Sequence, residues 1–525
     1  MNQRIRGTFG SLVAVAALAA TDAAAQTPSA TPIRLSNSAV ADSATTANTA
    51  PSTLSKVDAM VMLDYQVIPV PNDQSIDLMG FHVLNKVSDS VYFGIGAYAP
   101  LVKGGYGGFM AFDMMVLAKR KISGNLFGDA SFSIGGGGGG KSTQHSIVLS
   151  GTGGFAKGTV GLGYDFGDFS VGANVARMKF KNSAIDGTHL NLFVQAPFWY
   201  VVGPYANAGS KIVAAGAGTT AEEPSENTLT MGLVKFHQID PKASYKGSFQ
   251  LADFQFSHFM TPNAYWYLSL AIGYQGVPLY NQMLGGIGYR LNVTPQLHLN
   301  TQLGLGSGGY APDKIDTAAG LLVYPKVSAE YDIAKNFSLA LATGYLWAPK
   351  GSSKNYSLGA ALNYHKALGT AGTSDDNWFK GFRLSLFQQT EFNVSYLNLE
   401  RRTINMFTMQ LDSLVSPHLY IPLQASIAYV PYLGYPGYGE VLVGAGLQTE
   451  YTKDQPVQFF GEVLAGANVH GPILKAGLGA NYGLSDKLAI RASAGKTRGT
   501  SDGGRNFRTD YLGLGMTYRF SIPGW

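Results

Sequence analysis

The stretch Arg508–Phe520, RTDYLGLGMTYRF, decides the fold. Side chains alternate across a strand, so Leu512, Leu514, Met516, Tyr518 and Phe520 share one face. Gly513, Gly515, Thr517 and Arg519 share the other. One face is apolar throughout and the other small or polar. Working outward, the same alternation recurs along the chain. Met110, Phe112, Met114 and Val116 fall on one face, as do Leu126, Ala130, Phe132 and Ile134, and Val160, Leu162, Tyr164 and Phe166.

The repeats carry three anchors in the same order. Tyr92–Pro100, Tyr267–Gly276 and Tyr420–Pro431 form the first, each an alternating segment that runs to a tyrosine and a turn. The second is FAKGTVGLGYDF (155–166), LVYPKVSAEYDI (322–333) and ILKAGLGANYGL (473–484). The third is Leu190–Phe198, Tyr356–His365 and Tyr511–Phe520. A fixed order of anchors is the signature of an internal repeat. Each copy holds about eight strands; in the first they fall near 57–68, 76–85, 91–101, 107–119, 124–136, 153–166, 169–181 and 189–201.

The 525 residues include 66 glycines, 29 tyrosines and 28 phenylalanines, with 14% charged residues and no cysteine. The lack of cysteine excludes disulfides, a lipoprotein anchor, thiolate metal sites and cysteine nucleophiles. A net charge of +5 gives no reason to propose nucleic acid. At the N-terminus, Arg4 and Arg6 precede the apolar run Leu12–Ala20 and then Ala23–Ala25. That order reads as a secretory signal peptide over 1–25. The Ser/Thr/Ala/Pro-rich 26–56 reads as a disordered periplasmic linker.

These features together resemble bacterial outer-membrane β-barrels, in which an apolar-faced last strand ending on an aromatic is the assembly signal. Here that strand offers Leu512, Leu514, Met516, Tyr518 and Phe520. It departs from the pattern in carrying Ser521–Trp525 beyond Phe520. The resemblance implies an all-β, antiparallel transmembrane barrel in the outer membrane of a Gram-negative bacterium. Its partners would be lipid, lipopolysaccharide and the barrel assembly machinery, with no nucleic acid and an open oligomeric state. Nothing in the sequence calls for a cofactor, a metal or enzymatic activity.

Two closures are open. The favoured one is a single barrel of about 24 strands acting as a passive pore or export conduit. The alternative is three tandem eight-stranded barrels serving as a non-conducting surface scaffold. The repeats span 57–201, 228–366 and 381–525, separated by linkers at 202–227 and 367–380. Inward positions such as Ser170, Gly172, Asn174 and Ala176 are small and uncharged, which suits a wide lumen.

Tryptophans at segment ends suit an interfacial belt of amphipathic rings: Trp199, Trp266, Trp378 and Trp525 at the periplasmic level and Trp347 at the outer one. Arg401, Arg402, Lys496, Arg498 and Arg505 lie near outer ends and suit lipopolysaccharide phosphates through charge-assisted hydrogen bonds. Gly135–Ser142, GGGGGGKS, satisfies the phosphate-loop spacing. That loop works only where a helix begins at the lysine, and the β-branched, glycine-rich 147–154 follows. The reading is a flexible outer loop tip. His82, His258 and His418 have no partner at metal-ligand spacing and read as interior or interfacial residues. For a catalytic pair at an outer rim, His189 with Asp186 is the best candidate, and a weak one.

Overall fold

The structure is a computed structural model. It describes residues 55–143, 149, 153–210, 225–277, 280–309, 314–368, 379–395, 402–429, 438–450, 455–468, 471–500 and 506–523. The signal peptide, most of the first linker, Trp378, Trp525, Arg401 and Arg505 lie outside these residues.

Twenty-four strands form three closed barrels of eight, every neighbouring pair antiparallel. Barrel 1 comprises β1 (Ser55–Ile68), β2 (Ile76–Ser88), β3 (Val91–Ala99), β4 (Met110–Ser123), β5 (Leu126–Gly138), β6 (Gly154–Asp165), β7 (Ser170–Phe180) and β8 (Asp186–Val202). Barrel 2 comprises β9 (Ser225–Gln238), β10 (Phe249–Phe259), β11 (Ala264–Gln275), β12 (Asn281–Asn292), β13 (Leu297–Gly309), β14 (Leu321–Ala334), β15 (Phe337–Trp347) and β16 (Lys354–Leu368). Barrel 3 runs from β17 (Phe379–Ser395) through β18 (Arg402–Leu414) and β19 (Leu419–Ala428) to β20 (Gly439–Gln448), then β21 (Val457–Asn468), β22 (Gly471–Gly483), β23 (Leu488–Thr500) and β24 (Asn506–Pro523). The three sequence anchors fall on the third, sixth and eighth strand of each barrel.

The single wide barrel is therefore not formed. β8 pairs back onto β1 through twelve residue pairs, Ser55↔Val202 to Gln66↔Asn191, and leaves no edge for β9. β16 closes on β9, and β24 on β17, in the same way. Eight strands leave an interior just wide enough for side chains, and the interiors of barrels 1 and 3 are filled. Ser170, Asn174 and Ala176 do point inward, but they share the space with Tyr98, Phe193 and Lys157 in barrel 1. Arg383, Tyr420 and Arg491 do the same in barrel 3.

Each barrel has a proximal end, where its first strand starts and its last one finishes, and a distal end. The distal end of each is packed with inward apolar side chains. In barrel 1 these include Phe109, Phe155 and Phe180, the last two stacked at 4.6 Å. In barrel 2 they include Phe236, Phe249, Tyr280 and Leu346, and in barrel 3 Met406, Tyr438, Leu464 and Phe507.

Outward faces divide in two. Those away from the junction are exposed and apolar, with Val160, Leu341 and Leu478 at 69%, 67% and 73% exposure. Those toward it are buried barrel against barrel. Phe81, Val83 and Phe112 of barrel 1 pack with Phe382, Leu411 and Phe520 of barrel 3, and Leu268 and Met283 of barrel 2 pack against the same cluster.

At the distal side, barrels 1 and 2 are stitched by their loops. Gly107 N donates to Ala318 O at 2.7 Å, Leu321 N to Leu101 O at 2.9 Å and Ser307 Oγ to Pro100 O at 2.6 Å. At the proximal side, residues 203–210 cross from barrel 1 to barrel 3. Gly203 bridges Ser521, Gly209 N donates to Phe379 O, and Phe379 N donates to Ser210 O. A 3-10 turn, Tyr205–Asn207, places Tyr205 against Leu414, Tyr420 and Phe460 in the mouth of barrel 3.

Candidate functional site

Inward positions of the strands carry most of the buried charge, and each barrel arranges it differently. In barrel 1, Lys157 Nζ on β6 lies 2.6 Å from Asp64 Oδ2 and donates to Tyr98 OH at 3.2 Å, while His82 Nε2 lies 3.1 Å from Asp113 Oδ1. In barrel 3, Lys475 Nζ on β22 lies 2.6 Å from Glu440 Oε2. Arg383 and Arg491 there meet Asp412 and Glu462 at 2.9 and 2.8 Å. Buried charge is stable when paired and hydrogen-bonded, and these pairs are close, while Asp129 on β5 is buried with neither carboxylate oxygen hydrogen-bonded.

Barrel 2 departs from this. Where the aligned sixth strands carry Lys157 and Lys475, β14 carries Tyr324, and its lysine, Lys326, stands two residues on. Lys326 Nζ donates to Gln255 Oε1 at 3.2 Å, but its nearest carboxylate oxygen, Asp253 Oδ2, is 3.8 Å away. Around this loose pair lies a cavity of about 60 Å³. One wall is shaved: Thr230 and Gly232 on β9, Ala340 and Ala342 on β15, and Gly359 and Ala361 on β16. In barrel 1, β1 and β8 carry the buried Met62, His189 and Phe193, while β7 is also lined by small Gly172, Asn174 and Ala176; in barrel 3 the corresponding strands carry the buried Phe387, Arg491 and Tyr511.

Toward the proximal mouth the cavity meets an ion cluster. Arg290 Nη1 donates to both oxygens of Glu226 at 2.9 Å, and its guanidinium lies 4.1 Å from the Phe259 ring centre. His365 is held between Glu226, 2.8 Å from Nδ1, and Glu330, 2.7 Å from Nε2. Ser338 Oγ sits 2.9 Å from His365 Nε2 and also donates to Glu330. Ser338, His365 and Glu226 therefore have the connectivity of a nucleophile, base and orienting acid. A second carboxylate on Nε2 defeats that use, because the serine proton is committed to Glu330 and the imidazole is flanked by anions on both sides. Glu330, Asp332 and His365 bring one ligand atom each within 4.8 Å of one another. As cation ligands they are compromised, since Glu330 already accepts from Asn300 and Asn363 and Arg290 lies 4.0 Å away.

The residues singled out from sequence are placed as follows. Leu512, Leu514 and Met516 are exposed, whereas Tyr518 and Phe520 are buried between barrels 1 and 3, Phe520 stacked on Phe382 at 5.5 Å. The strand also continues past Phe520, with Ile522 pairing Lys380. Trp199 is 55% exposed under Lys56 Nζ at 5.1 Å, Trp266 stands edge-on to Phe256, and Trp347 packs with Tyr345. Lys496 pairs with Asp510 at 2.9 Å, Arg498 is exposed, and Arg402 opens β18.

His189 and Asp186 are not a pair. His189 points inward to Gln66 Oε1 at 2.8 Å, while Asp186 points outward to Arg177 and Lys179. His82 is interior. The glycine run is not a free loop tip. It extends β5 against β4, and a Cβ at Gly139, where φ is +110°, would lie 1.8 Å from Gly108 O. Lys141 beyond it pairs with Asp73 at 2.8 Å, and the described residues 141–143 are not helical.

None of the six charged residues around the cavity was singled out from sequence. The available signal was a charge at an inward-parity position, as at Asp253 and Lys326, in a strand whose other face is apolar.

No protein-family model matches the chain, and no curated protein matches it. Solved structures similar to it include a mutant ferric enterobactin receptor from Pseudomonas aeruginosa, at 10% identity over 88% of this chain and 81% of that one, with a TM-score of 0.28. The siderophore receptor PirA from Pseudomonas aeruginosa matches at 8% identity, 88% and 80% coverage and a TM-score of 0.26. The ferripyoverdine receptor of the Pseudomonas aeruginosa outer membrane matches at 10%, 88% and 72%, with a TM-score of 0.27. Scores this low carry no argument about function, which rests on this chain's own geometry.

Proposed function

We propose that this chain is an integral outer-membrane protein whose three occluded barrels form one platform and not a bulk conduit. The membrane reading is supported by the exposed apolar faces, which suit lipid, and by closed barrels, which leave no unpaired strand edge in hydrocarbon. Non-conduction is supported by one observation above the rest: the distal end of every barrel is filled by inward aromatic and aliphatic side chains. The same geometry disfavours the passive pore, because eight strands leave an interior just wide enough for side chains, whereas porins of 16–18 strands leave an aqueous channel.

Purified protein, shown by heat-dependent gel mobility to be folded and inserted in a planar bilayer, is expected to give no large ohmic steps. Large, weakly selective steps would overturn this reading.

A further inference from the structure

Beside the cavity of barrel 2 the inward pair Lys326 and Asp253 is only loosely spent on itself. Lys326 has three donors, one of them given to Gln255. Asp253 Oδ1 accepts from Ser269 at 2.7 Å, while Oδ2 faces Lys326 across 3.8 Å, beyond hydrogen-bonding distance. Both residues line the cavity, as do Arg290 and Glu330. Arg290 Nε and the hydroxyl of Tyr267 are buried without a hydrogen-bond partner. The space is therefore lined by cations and anions with unused capacity, and it is closed distally by the plug around Phe249 and Leu346. Its proximal limit is the cluster of Glu226 and His365, whose side chains are 32% and 17% exposed. Access is from that side, and the chamber is a dead end.

We propose that barrel 2 binds a small zwitterion, an α-amino acid of glycine or alanine size or a compound of the same charge pattern, taken up from the proximal mouth. The carboxylate would meet the free donors of Lys326 or Arg290, and the ammonium the free acceptor of Asp253. A lone anion or cation would satisfy one half and leave the other as it stands. Size follows from volume: each water needs about 10–15 Å³ of this measure, so the chamber takes about four to six water-sized groups. That matches the smallest amino acids and excludes sugars and siderophores. The shaved wall makes the room. The inference does not rest on the membrane reading, because the chamber lies inside the barrel whatever surrounds it.

The test is calorimetric titration of the detergent-solubilised full chain with glycine, L-alanine, acetate and methylammonium as probes. Glycine or L-alanine is expected to bind at one site per chain, and the two half-molecules at least about tenfold more weakly, the factor that losing one charged hydrogen bond brings. Lys326→Met and Asp253→Asn should each weaken binding by about the same factor. Ala342→Leu, which fills the chamber without touching a charge, should abolish it while heat-dependent gel mobility stays that of the parent. Three results would overturn the proposal: acetate binding as well as glycine, Ala342→Leu binding as the parent does, or no heat at about 10 mM of either amino acid, where a millimolar site is nearly saturated.

Discussion

Single residues at the distal face show how the loops are tied. Lys141, the lysine of the phosphate-loop pattern, makes a half-exposed ion pair with Asp73. Such pairs contribute about 0–1 kcal/mol. Lys141→Ala is therefore expected to leave the unfolding temperature within a degree or two of the parent, and equilibrium dialysis should show no nucleoside triphosphate bound by either protein. Asp316 matters more. It accepts from Ser352 N and Oγ and Ala318 N in barrel 2, and from Ser142 Oγ of barrel 1. Burial pushes its carboxyl up, but those hydrogen bonds, chiefly from Ser352, outweigh burial and hold it below the usual carboxylate range. A group lower in the folded than in the unfolded chain stabilises fully above its unfolded value, about 4, and that contribution is lost as pH falls through the folded one. Hydrogen exchange at the Gly107 amide, which bonds Ala318 O, should accelerate relative to its intrinsic rate on acidification below about pH 4. In Asp316→Asn protection should be weaker at neutral pH and lack that transition.

Among the elements, β24 was read most directly from sequence, and it shows what that reading leaves open. Its alternation was legible because one face must be apolar and the other must fit a narrow interior. What alternation does not encode is which medium the apolar face meets. Leu514 faces outward to the surroundings and Phe520 faces outward to barrel 3's neighbour, yet both obey the same parity. An aromatic needed for packing and one needed for assembly look alike in a strand. Phe520→Ala should accordingly loosen the junction of barrels 1 and 3. In the proposed lipid setting the hydrophobic part of the cost would be lost and packing would remain, so about 1–3 kcal/mol is expected, below the 3–5 of a water-soluble core. Thermal unfolding in detergent would measure it. Truncation after Phe520 removes Ser521 and Ile522, the partners of Gly203 and Lys380, and should lower the unfolding temperature of barrel 3 while barrel 1 keeps its own.

At the scale of the whole molecule, the eight-strand period was legible and the closure was not. Three anchors in fixed order located the third, sixth and eighth strands of each barrel, but periodicity is silent on whether a last strand pairs forward or back. The bulk of inward Tyr98, Arg383 and Tyr420 was the usable clue, because large inward residues suit a lumen with no water in it. The chamber of barrel 2 was less legible still, since Glu226, Asp253, Arg290, Lys326, Glu330 and His365 come from five strands and meet only when the sheet closes. The proximal crossing carries a further consequence. Ser210 and Phe379 are hydrogen-bonded neighbours, so the 168 residues 211–378 leave and return at one place. Barrel 2 is thus an insertion in a two-barrel chain. Segments whose ends meet at a surface are the ones that tolerate removal. A gene in which 211–378 is replaced by a short glycine-serine turn should yield a protein whose remaining barrels fold, still clasped through Gly203 and Ser521, and separable from the middle barrel as a cassette.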